Sequence, residues 1–239
     1  MLVDRQKRHL SIRLDAPSTF LSWCLHGGGL NQGQSIFWAQ VRNHELTRDI
    51  RPSDYLKKRW EDYKLQPDLA FMTSADISDA VIHEEAFSGL NVTALTTVGM
   101  GNALRAGDPG GYHLSLGTIN LLLEINATLS PSALVEAMAI ATEGKTAAVM
   151  DSSIPSKVSG NTSTGTGTDC LAISSHQKKT PMVFCGKHTK LGELIGKASY
   201  QAVLKGVSRW VERKEEKSEN RERNDRHQDN PCYRRGQFG

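Results

Sequence analysis

Protein chemistry needs groups that move protons or hold charge, placed on backbone that a ligand can approach closely, and this sequence concentrates both in four blocks. They are VGMGNALRAGDP at 98–109 with GTIN at 117–120, ATEGKTAAV at 141–149, STGTGTDCLAI at 163–173 and GKHTKLGELIGKA at 186–198. Asp169, where TGTGTD meets an apolar stretch, is the first candidate for a general base or a water-orienting carboxylate. Its alternative is an Asx turn or a capping bond that only holds the loop. His188 is the other side chain here that changes charge readily near neutral pH, which suits a proton shuttle; a hydrogen bond at the start of the following helix is the alternative. Glu143 is the third catalytic candidate, set against a plain surface ion pair with Lys145.

The remaining polar groups read as binding elements. Gly99, Gly101, Gly165 and Gly167 let backbone amides come close to a ligand, as an oxyanion hole or a rim of donors would require, or else they serve ordinary turns. Thr118, Thr164, Thr166 and Thr168 supply hydroxyls. A threonine can also be a nucleophile, yet no N-terminal amine or adjacent base is there to activate one. Asn102, Arg105 and Asp108 share one short loop and suit binding better than bond breaking, with an internal Arg105–Asp108 salt bridge as the competing role. Lys145 completes the binding set as a cation.

Several tempting motifs fail. Gly144-Lys145-Thr146 matches the tail of a phosphate-binding loop, but Ala139 stands where the upstream glycine belongs and the tetrapeptide lies late in a helix. His26-Gly27-Gly28-Gly29 resembles an esterase oxyanion loop, yet no GxSxG elbow accompanies it, because Asn161 precedes Ser163 where a glycine is required. Gly99-Met100-Gly101 is followed by Leu104 where a dinucleotide fingerprint needs its third glycine. The eight histidines form no compact ligand set, so no metal and no cofactor is identified.

The elements that must position these loops follow from hydrophobic periodicity. Residues 10–14, 36–41, 91–98 and 116–126 read as strands, the last so continuously apolar that it belongs in the middle of a sheet. DCLAIS and TPMVFCG read as two more strands, separated by a polar hairpin at HQKKT. DYLKKRWEDYKL, between Pro52 and Pro67, reads as a surface helix, and ISDAVIHEEAF as a helix capped by Asp76 or Ser78 that stops at Ser88-Gly89. Ser130-Pro131 opens a long helix with the grammar of a capped first turn. HTKLGELIGKASYQAVLKGVSRWV reads as a closing helix. The class is α/β, a single domain with a mixed β-sheet and packed helices, its strand order not readable from the pattern. The domain spans 1–211; from Glu212 onward, mixed charge without apolar periodicity reads as a solvated, largely disordered tail.

Composition narrows the partners. The chain has 239 residues with 38% hydrophobic and 23% charged side chains, enough to bury a core. Its 29 basic and 26 acidic residues leave a net charge of +3, too little excess to steer it onto nucleic acid or anionic lipid. Charged residues interrupt every apolar run near the N-terminus, so neither a signal peptide nor a membrane span is read there, and a cytoplasmic protein is expected. Cys24, Cys170, Cys185 and Cys232 are widely spread with no CxxC pair, and are read as structural thiols in a reducing compartment. Trp23, Trp38, Trp60 and Tyr112 are candidates to line a cleft, with core packing as their default role.

Taken in order, the four blocks resemble the adenosylcobinamide amidohydrolase family, over roughly residues 10–208. That resemblance implies hydrolysis of the amide joining a corrin side chain to aminopropanol, giving adenosylcobyric acid for cobamide salvage. The corrinoid, with its own cobalt, would then be the substrate. Under that reaction, Asp169 would activate water and His188 would protonate the departing amine, while the glycine amides receive the oxyanion. One departure is visible: Gly144 stands where the family usually reads alanine. Glycine in a helix interior costs about 1 kcal/mol relative to alanine, which favours an earlier helix end and bears on the placement of Lys145. Two other readings compete: a corrinoid-binding module without turnover, and a nucleotide-dependent enzyme of the same pathway, which the failed phosphate loops disfavour.

Overall fold

The computed structural model describes residues 1–47, 49–111, 116–177 and 180–228. In chain order the elements are β1 (Leu2–Gln6), β2 (His9–Ser22), β3 (Gly29–Gln40), α1 (Pro52–Asp62), β4 (Leu69–Thr73), β5 (Val81–Phe87), β6 (Leu90–Val98), β7 (Ala103–Leu104), β8 (Ile119–Ile125), α2 (Pro131–Asp151), β9 (Gly165–Thr166), β10 (Cys170–His176) and α3 (Lys190–Gln228). Eight strands form one mixed sheet in the order β4-β3-β2-β10-β8-β6-β5, with β1 alongside β2. The α/β class with a mixed sheet is as the periodicity predicts.

β8 lies between β10 and β6, and all seven of its residues are buried. Period-two alternation splits them. Ile119, Leu121, Leu123 and Ile125 join α2 and α3 in the main core, whereas Leu122 faces a second core with Trp38, Phe71, Leu95 and Ala172. The second core exists because the sheet curls on itself: Asn120 Nδ2 donates to Met72 O at 2.8 Å, tying β8 to β4, and Trp38 Nε1 donates to Thr97 Oγ1 at 3.2 Å. Each fully buried aliphatic side chain in these layers contributes about 1.5–3 kcal/mol.

α2 connects β8 to β10, which run parallel, and so forms a βαβ crossover. Ser130 caps it, its hydroxyl accepting from Ala133 N, and Pro131 occupies the first turn. The helix does not end at Gly144. A Cβ on that residue would sit 2.9 Å from Gly196 O and 3.0 Å from Ser199 Cβ, so the missing side chain lets α3 lie close enough to support α2 through Asp151. The propensity loss is outweighed by tertiary packing, and Lys145 is held in regular helix.

Three other expectations are corrected. Residues 81–87 form strand β5, not a helix; only Ile77–Asp79 makes a 3-10 turn, capped by Asp76. Ser88 and Gly89, with φ of 48° and 83°, make the two-residue turn of a hairpin that pairs β5 with β6. TPMVFCG yields no strand: Val183 and Phe184 are exposed, and only Met182 bridges, to Leu129. Residues 178–179 of the expected hairpin lie outside the described residues. The closing helix runs beyond Glu212 to Gln228, anchored early in that extension where Arg213 pairs with Asp76 and Asp79. Among the described residues, no helix is long and apolar enough to cross a membrane.

Candidate active site

Two of the glycine-rich blocks are stitched together by backbone. β7 pairs with β9, placing Ala103 opposite Thr166 and Leu104 opposite Gly165. Thr164 N donates to Leu104 O at 2.9 Å, and Thr164 Oγ1 accepts from Ala106 N at 2.8 Å. The 117–120 stretch joins them at the amino ends of the parallel strands: Gly99 N donates to Thr118 O, Thr118 Oγ1 donates to Thr168 O at 2.6 Å, and Thr168 Oγ1 donates to Gly117 O at 2.7 Å. Gly117 is required there, since a Cβ would fall 2.4 Å from Asn102 Oδ1 and 2.6 Å from Gly99 O.

Asp169 sits at the centre of this junction. Its Oδ1 accepts from Ile119 N at 3.1 Å, Thr166 N at 3.1 Å and Thr166 Oγ1 at 2.5 Å, while Oδ2 accepts from Lys145 Nζ at 2.5 Å. Lys145 and Asp169 keep only 8% and 11% of their side-chain surfaces exposed, so the pair is largely desolvated. A Cβ at Gly165 would lie 2.3 Å from Asp169 Oδ2 and 2.7 Å from Lys145 Nζ. Gly165 therefore makes room for the ion pair. The capping role of Asp169 is present in full, and any proton chemistry must share the carboxylate with it.

Lys145 does not pair with Glu143. Residues two apart on a helix are about 200° apart around its axis, so Lys145 faces the sheet while Glu143 faces outward and pairs with Lys187 at 2.6 Å. His188 is exposed at the foot of α3, its ring set over Gly186 beside Glu136. Glu136 precedes Lys145 by nine residues, about 13 Å of helix rise. The structure thus brings 99–108, 117–118, 145 and 164–169 together and leaves Glu143, Lys187 and His188 as a separate group on the outer helical layer.

The polar loop shapes itself. Arg105 donates through its guanidinium to Thr162 O at 2.7 Å, and Asp108 accepts from Arg105 N at 2.8 Å and from Ser156 Oγ at 2.5 Å, in place of an Arg105–Asp108 salt bridge. Hydrogen bonds from Ser156 and Ser159 hold the Asp108 carboxyl below its ordinary pKa. Asn102 is buried, and its Oδ1 has no hydrogen-bond partner among the described residues. Gly101 sits beside it in the same turn.

Beside the ion pair opens a cavity of about 370 Å³ whose wall includes Asp169, Thr118, Thr168 and Cys170. Trp23, Leu25 and Leu116 stand exposed at its edge, and Trp23 Nε1 donates to Asp169 O at 2.7 Å. Of the aromatic candidates, Trp23 lines this cavity, Trp38 and Trp60 are core, and Tyr112 lies outside the described residues. Cys170 and Leu116 were not legible as lining residues. The one available signal was position, since Cys170 directly follows Asp169 in the chain. Among the described residues no group of three or more His, Cys, Asp or Glu side chains could hold a metal ion.

An α/β protein with a buried lysine–carboxylate pair, its carboxylate residue at the wall of an apolar-rimmed cavity, is the class that fold and site define. Within that class, the chain belongs to the adenosylcobinamide amidohydrolase family, whose model matches residues 2–215. It is 28% identical over 193 residues to an uncharacterized protein of Methanocaldococcus jannaschii, covering 72% of each chain. The crystal structure of the PH0078 protein from Pyrococcus horikoshii OT3 aligns with 86% of this chain and 78% of its own, at a TM-score of 0.40 and 10% identity.

Proposed function

We propose that this protein hydrolyses the amide between the corrin side chain and aminopropanol of adenosylcobinamide. Family membership supports the substrate, and one observation supports the place: Asp169, the carboxylate partner of Lys145, is part of the wall of a cavity that carries exposed tryptophan and leucine at its edge. A corrinoid is far larger than about 370 Å³, so the aminopropanol arm enters and the macrocycle rests on Trp23, Leu25 and Leu116.

In this reading, water attacks the amide carbonyl and passes a proton to Asp169, and the C–N bond breaks as the amine takes up a proton. Lys145 donates a hydrogen bond to the carboxylate and is the cation paired with it, so it is assigned the proton for the amine; His188 belongs to a different group of residues. A carboxylate has about four acceptor sites, and Asp169 already receives four donors. The Thr166 hydroxyl can rotate away without disturbing backbone, and that rotation is what frees a lone pair for water.

The same saturation favours a second reading, a corrinoid-binding protein without turnover. Incubation with adenosylcobinamide, with and without ATP or a chelator, tests both. Release of aminopropanol without ATP is the expected result. Tight binding with no amine released would establish the second reading and overturn the first.

A further inference from the structure

Cys24 and Cys170 are both free thiols, and their Sγ atoms lie 3.4 Å apart. This closeness follows from the sheet. β2 and β10 are antiparallel with Ala172 opposite Ser22, so continuing the register by two residues sets Cys170 opposite Cys24 on the same face. Directly opposed residues in an antiparallel pair have Cα atoms about 4.5–5.5 Å apart, inside the window of about 4.4–6.8 Å that a disulfide spans. The sulfurs need to approach by only about 1.4 Å to reach bonding distance.

We propose that Cys24 and Cys170 are an oxidative modification site: peroxide joins them in a reversible disulfide in the wall of the cavity. Cys170, partly exposed and lining the cavity, meets the oxidant first. Its sulfur attacks peroxide, forming a sulfenic acid and releasing one water. Cys24 then displaces the hydroxyl, closing the S–S bond and releasing a second water, so two thiol hydrogens and one peroxide are consumed. Burial and its contact with Cys170 push the Cys24 thiol up, which suits it to resolving and not to first attack. Cys185 is fully buried, with its thiol against Ala133 O at 3.0 Å, and makes no thiol contact among the described residues.

The bond would clamp the two residues next to it. Trp23 and Asp169 already share a hydrogen bond, and a covalent tie one residue along each strand holds that side of the cavity fixed. The inference depends on thiol placement and not on the proposed hydrolysis, so the two fail independently.

The test treats the full chain with hydrogen peroxide, caps remaining thiols and maps linked peptides by mass spectrometry, with Cys170→Ser and Cys24→Ala as controls. The expected product loses two hydrogens, carries a peptide joining residues 24 and 170, melts roughly 5–10 °C higher, and reverts with dithiothreitol. Amide exchange at 23–25 and 169–171 slows in the oxidised protein, and neither variant shows these changes. Retention of all thiols, over-oxidation of Cys170 without a cross-link, or the same melting shift in Cys170→Ser would each overturn the proposal.

Discussion

Removing Lys145 or Asp169 singly should cost far more than their joint removal implies, and a double-mutant cycle measures the difference. Lys145→Met keeps length and apolar volume but strands a carboxylate that is 11% exposed with three remaining donors, Ile119 N, Thr166 N and Thr166 Oγ1. Asp169→Asn leaves an ammonium that is 8% exposed facing a neutral amide. Breaking a buried pair from one side typically costs about 3–5 kcal/mol, because the survivor is left uncompensated. The lower end, about 3 kcal/mol, applies to Lys145→Met, since three donors still satisfy the carboxylate. At about 2–4 °C per kcal/mol for a chain of this size, melting should fall by roughly 6–12 °C. The double variant has no stranded charge, so its loss should undershoot the sum of the singles by at least about 1 kcal/mol. Urea unfolding of all four proteins, with unchanged m-values, gives the coupling. A coupling below about 0.5 kcal/mol would refute the view that the pair is desolvated and mutually dependent.

Gly165→Ala should act at the same point without removing either charge, forcing Asp169 Oδ2 or Lys145 Nζ aside and lowering stability by about 1–3 kcal/mol in thermal melts; a melt equal to wild type would contradict the tight fit. Glu124 is buried, which alone would raise its pKa, but hydrogen bonds from His176, Asp15 N and the Met1 amino group bring it below the ordinary value. A depressed folded pKa contributes stability that is present above the unfolded value near 4.5 and lost as pH falls through the folded one. Glu124→Gln should therefore flatten the acid side of the stability–pH curve, and an unchanged curve would rule out that linkage. Arg213→Ala should cost only about 1 kcal/mol or less, because its ion pairs with Asp76 and Asp79 are partly exposed; urea titration checks it, and a loss above about 2 kcal/mol would show that α3 beyond residue 211 is needed for the core.

Much of the architecture was legible wherever one period dominated. The unbroken apolar run of β8 marked a central strand, and Ser130-Pro131 marked the start of α2. β5 was misread because Val81, Ile82, Ala86 and Phe87 fit a helical stripe as well as an edge strand, and the Ser88-Gly89 turn suits a helix stop as well as a hairpin. Strand order and the curl of the sheet depend on contacts such as Asn120 with Met72, far apart in sequence and without local signature. The site was legible as loops and not as a constellation. Glycine and hydroxyl content pointed to 99–108 and 164–169, yet only the fold separates Lys145 from its neighbour Glu143, and only the fold gives Asp169 its four donors. Trp23, 146 residues from the carbonyl it binds, could not have been linked to Asp169 from the sequence.

The most direct test of the central claim is the rate at which aminopropanol appears from adenosylcobinamide with wild-type protein and with Asp169→Asn, each first shown to be folded. The wild type should release amine in step with adenosylcobyric acid, and the variant at least about a hundredfold more slowly. No release by folded wild-type protein, or a variant that turns over at nearly the normal rate, would contradict it.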